Sequence, residues 1–141
     1  RTARGHGKPR MSRDALAVLL RLRRFEVTAA QRDLATGLRV AAEAETAQSM
    51  ATRAISREAV AARQLGAEAM VMDLFCRWLP HGQAAVAATA TARGAAEQAA
   101  GQARAALTAA HAAAEAVAAL RGEQVRARRA AALRTEQAAL E

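Results

Sequence analysis

From Leu16 to Leu79 this chain places one residue every third or fourth position on a single line: Leu16, Leu20, Arg23, Val27, Ala30, Leu34, Gly37, Ala41, Ala44, Gln48, Ala51, Ile55, Glu58, Ala62, Leu65, Ala69, Met72, Cys76 and Leu79. Most of these are apolar, and the spacing is that of a heptad seam. A strand cannot satisfy it, because its side chains alternate with a period of two. The stripe widens through Val18, Leu19, Leu38 and Val60.

Composition supports the same reading. Alanine, the best intrinsic helix former, dominates, and aromatics are 2% of the chain, too few for an ordinary globular core. No apolar run approaches the roughly 20 residues of a membrane-spanning helix. The N-terminus carries no apolar signal segment. A cytoplasmic protein is expected, and the single cysteine, Cys76, fits a reducing compartment and reads as a buried, inert thiol on the seam.

Residues 1–10 hold Arg1, Arg4, Lys8 and Arg10 with no acid, and Gly5, Gly7 and Pro9 oppose helix. They read as a disordered basic leader. Met11 reads as a natural start, and Ser12 as a helix N-cap with Asp14 in the first turn. The strongest mid-chain breaker is Pro80-His81-Gly82. Beyond it the seam resumes at Val86, Arg93, Ala96, Ala100, Ala103, Leu107, Ala110, Ala114 and Val117, then drifts through Leu120, Val125, Leu133 and Leu140. Neither arm can bury its stripe alone. The expected fold is therefore all-α: a long two-helix antiparallel coiled-coil hairpin over residues 11–141, with nearly equal arms and a turn near 80–82.

Two features can carry function. Met70, Val71, Met72, Leu74, Phe75, Trp78 and Leu79 form the most apolar stretch of the chain. Either these residues staple the turn, or Met72, Phe75, Trp78 and Leu79 form a docking patch of the residue types enriched at interface hot spots. The second feature is arginine: Arg21, Arg23 and Arg24, then Arg126, Arg128, Arg129 and Arg134. A turn at Pro80 would set Arg21–Arg24 opposite 136–139 and Arg126–Arg129 opposite 31–34, gathering them into a basic collar. The collar is a solvated face or a surface for acidic loops.

Nothing points to catalysis. His6, His81 and His111 lack ligand spacing with each other or with Cys76, so no metal site is expected. No nucleophile has a base beside it, no glycine-rich phosphate loop appears, and a narrow hairpin has no concavity to exclude water. No cofactor is expected.

The segment MSRDALAVLLRLRRFEVTAAQRDLA, from Met11, resembles the opening of the flagellar export protein FliJ family, with its leucine-spaced helix, its LLRLRR-type basic stretch and its following VTAAQRDLA-like run. The matching residues are Leu16, Leu19, Leu20, Leu22, Arg23, Arg24 and Val27. The resemblance implies a non-enzymatic coiled-coil stalk of the type III protein export apparatus, serving flagellum biogenesis and motility. It implies that the open end, with Arg21, Arg23, Arg24, Arg126, Arg128 and Arg129, enters a hexameric export ATPase ring. Other surfaces would meet the export gate protein and export chaperones at the cytoplasmic face of the membrane. Two further readings stand beside it. One is a basic helical nucleic-acid-binding protein, from a net charge of +8. The other is an alanine-rich helical coat on lipid or storage granules.

Overall fold

The structure, a computed structural model, describes residues 13–65 and 69–140. The expectations for residues 1–12 (basic leader, start at Met11, Ser12 cap) lie outside the described residues. Two helices make up the rest: α1, Arg13–Leu65, and α2, Ala69–Leu140. They pack against each other, so the fold is all-α, a two-helix hairpin.

The chain reverses between Leu65 and Ala69, and not at 80–82. The arms are accordingly unequal, 53 residues in α1 against 72 in α2. Pro80 lies inside α2. It has no amide hydrogen for the Cys76 carbonyl, yet both residues are exposed, so water can satisfy that group. On either side of Pro80, Trp78, Leu79 and Gly82 are drawn inward. Packing across the proline outweighs its local cost, and the first helix ends at Leu65 instead.

By packing the described residues form two units: residues 32–65 with 69–105, and residues 13–31 with 106–140. In the first, the helices meet through small residues. A Cβ added to Gly37 would lie 3.4 Å from the Ala100 Cα, and one added to Gly82 would lie 3.2 Å from Ile55 Cγ1. Both pairs are equidistant from a point near residue 68, which fixes an antiparallel register with the turn just there. Ala62, Gly82, Ala96 and Ala100 are buried in this unit. Alanine and glycine let two backbones approach closely, but each removes little apolar area from water.

In the second unit the buried residues are larger: Leu16, Leu20 and Val117. The α1 seam read from sequence is the buried line, since every position from Leu16 to Ile55 is buried or half-buried. On α2, Val86, Arg93, Ala96, Ala100, Ala103, Leu107, Ala110, Ala114 and Val117 are likewise turned inward. Beyond Ile55 the line holds at Ala62 but not at Glu58, which is exposed, and Leu65, Met72 and Cys76, at or past the true turn, are exposed as well. Cys76 is thus an exposed thiol and not a buried seam residue. Val18, Leu38 and Val60 are also exposed and do not widen the stripe. The drift through Leu120, Val125, Leu133 and Leu140 runs on the exposed surface of α2.

Threonines inside the helices are accommodated by side-chain bonds to the preceding turn. The hydroxyls of Thr28, Thr46, Thr52 and Thr91 each donate to the carbonyl four residues back at 3.0–3.1 Å.

Candidate partner-binding surfaces

At the closed end, Ala61, Ala62 and Leu65 of α1 and Val71, Leu74, Phe75 and Trp78 of α2 line an apolar groove of about 380 Å³ with Glu58 at its edge. Phe75 and Trp78 are half-buried and pack ring to ring, tilted, with centroids 6.2 Å apart. The plane of Trp78 also covers Gly82: a Cβ there would stand 2.8 Å from the ring. Trp78 and Phe75 thus pack against each other and, in the case of Trp78, over Gly82, and both also line the groove. Leu79 is half-buried, whereas Met72, Met70 and Leu74 stand in solvent.

Further along this unit a polar cluster crosses the helix pair. Arg93 donates from Nε to Glu97 Oε1 at 2.8 Å and from Nη1 to Gln48 Oε1 at 3.2 Å, and Nη2 lies 3.4 Å from Glu45 Oε1. The hydrogen bond donated to Glu97, with the charges of Glu45 and Glu97, raises the guanidinium pKa above its ordinary value. Arginine is cationic throughout the accessible pH range in any case, so the cluster acts as a fixed polar clasp.

The arginines of the expected collar lie in the other unit. Among the described residues, 13–31 with 106–140 carry 9 Arg against 5 Asp and Glu, a net +4; residues 32–65 with 69–105 carry 8 against 6, a net +2. The register places the arginines differently from the expected collar. With the turn before Ala69, Arg21–Arg24 do not face 136–139, nor Arg126–Arg129 face 31–34. Arg24 and Arg126 nonetheless line one groove of about 470 Å³, with Leu20, Ala118, Arg121, Gly122 and Val125. Arg128 and Arg129 line an adjoining groove of about 300 Å³ with Arg121, Gln124 and Val125. Arg121 belongs to both, and reading the sequence with a turn at Pro80 could not have found it.

Arg23 behaves differently. It sits half-buried on the seam, where its Nη1 donates to Glu26 at 2.9 Å while its Nε is buried with no partner among the described residues. Arg21 is exposed. Another surface went unread: Val18, Leu22 and Phe25, at spacings of four and three, stand 51–66% exposed on the face of α1 opposite the seam.

Among the described residues no helix is long and apolar enough to cross a membrane, and no three His, Cys, Asp or Glu gather where a metal ion could be held. No protein-family model, no curated protein and no solved structure matches this chain.

Proposed function

We propose that this chain is a non-enzymatic interaction protein, a FliJ-like stalk that couples a hexameric export ATPase to the export gate and to export chaperones at the cytoplasmic face of the membrane. The observation that carries the reading is the gathering of Arg24, Arg121, Arg126, Arg128 and Arg129 around Val125, on the unit that also contains the LLRLRR stretch, with no carboxylate lining either groove. A basic patch of this kind on a helix pair suits insertion among acidic loops, where complementary charge sets orientation and association rate. The apolar groove of Leu65, Phe75 and Trp78 belongs to the other unit and gives a second, chemically distinct contact for the gate or a chaperone. The mechanism is mechanical and allosteric: the stalk biases ring and gate conformations and needs no cofactor of its own.

The test is co-purification of the full chain with a flagellar export ATPase, scored by ring assembly and ATP turnover. Retention and stimulation that vanish when Arg23, Arg24, Arg128 and Arg129 are replaced by glutamine support the stalk. Retention on DNA instead, falling steeply with added salt, would put the nucleic-acid reading first.

A further inference from the structure

Three guanidiniums converge on the groove that Leu20 and Val125 floor. Arg24 comes from α1, and Arg121 and Arg126 come from α2. No carboxylate lines the groove, and none of the three makes an ion pair among the described residues. The contrast within the chain is instructive, because Arg23, Arg77 and Arg93 each hold a carboxylate within 3.4 Å. The adjoining groove adds Arg128 and Arg129 around the same Val125. Like charges are thus held side by side around an apolar floor, with no internal counter-charge.

From this arrangement we infer that the groove binds an acidic, apolar-centred segment of another protein: a leucine or phenylalanine seated on Leu20, Ala118 and Val125, with flanking Asp or Glu carboxylates bridged by Arg24, Arg121 and Arg126. The planar guanidinium fork suits a carboxylate bidentately. The floor decides between anions. A nucleic-acid strand would use the cations but leave the exposed Val125 uncovered, and it would find no aromatic platform in the groove on which to stack a base. A second copy of the chain is a poor occupant. Its own basic unit repels this one, and its exposed Leu74 neighbours Asp73, whose carboxylate is already held by Arg77 at 2.9 Å. The inference rests on the reading of this unit as the partner-binding end, and it names the chemistry of what binds there.

The experiment is fluorescence anisotropy of a labelled synthetic peptide of about a dozen residues, titrated with the full chain at near-physiological salt. The peptide carries Leu and Phe one helical turn apart, with Asp and Glu between and around them. Two further probes are the same peptide with Leu and Phe replaced by Ser, and a single-stranded oligonucleotide of equal charge. Saturable binding of the first peptide is expected. Arg121→Gln and Arg126→Gln should each weaken it roughly tenfold, the scale of one lost charge-assisted hydrogen bond. The Ser peptide should lose a similar factor, and Arg53→Gln, in the other unit, should change nothing. Circular dichroism checks that each variant stays helical. Equal binding of the Ser peptide, tighter binding of the oligonucleotide, an equal loss in Arg53→Gln, or no binding at all overturns the inference. Peptide binding without ATPase retention would sink the stalk and leave the groove standing; ATPase retention without peptide binding would do the reverse.

Discussion

Arg93 on α2 and Gln48 on α1 meet across the helix pair, the guanidinium donating to the amide oxygen at 3.2 Å, with Glu45 one turn away on the same helix at 3.4 Å. A seam of alanine and glycine offers few shape constraints, so one helix could slide along the other by a heptad at small cost in packing. A polar residue at a seam position specifies register in coiled coils. Arg93, holding two α1 residues at once, is placed to do the same here.

That register is directly measurable. In a Gly37→Cys, Ala100→Cys, Cys76→Ser variant the two new Cβ atoms would stand about 3.7 Å apart, within the range a disulfide spans. Mild oxidation is expected to close the bond in high yield, read as a mobility shift on non-reducing gels. Adding Arg93→Leu should lower that yield. A chain turning at Pro80 would never form the bond.

Pro80 is a cost that the fold carries. Replacing it with alanine restores the amide that Cys76 lacks and should stabilise the chain by up to about 3 kcal/mol. Urea denaturation followed by circular dichroism measures it. Destabilisation would mean that the proline is needed where it stands.

The glycines of α2 divide by what surrounds them. Nothing lies within 4 Å of a Cβ built on Gly94 or Gly101, so each change to alanine should add about 1 kcal/mol through helix propensity alone. Gly82→Ala meets the Trp78 ring at 2.8 Å and must push it outward. Trp78 is the chain's one tryptophan, so a red-shifted emission spectrum reports that movement.

Leu20 and Leu22 separate packing from exposure. Leu20 is 4% exposed and Leu22 51%. Leu20→Ala should cost about 2–5 kcal/mol, whereas Leu22→Ala should stay within about 0.5 kcal/mol. Thermal melts of both variants test the assignment of the seam on the first turns of α1.

How much of this was legible differs between the arms. In α1, large residues such as Leu16, Leu20, Leu34 and Ile55 recur against polar neighbours, so the inward line could be read by eye. In α2 the line from Val86 to Val117 was also legible, but a seam made mostly of alanine fixes no register against α1. The turn was therefore assigned from the local breakers Pro80 and Gly82 alone. What decides the turn is the pairing of Gly37 with Ala100 and of Ile55 with Gly82, a non-local property. The error propagated to the site: with the turn misplaced, Arg24 could not be seen to share a groove with Arg121.

The small-residue seam has a thermodynamic corollary. Heat-capacity change and denaturant sensitivity both follow the surface exposed on unfolding. A helix pair joined largely through Ala62, Ala96, Ala100 and Gly37 uncovers little when it comes apart. Its unfolding curves should be shallow for a chain of 141 residues, and its stability should vary little with temperature away from the midpoint. A broad transition in this protein is therefore a signature of thin contact, and not of lost cooperativity.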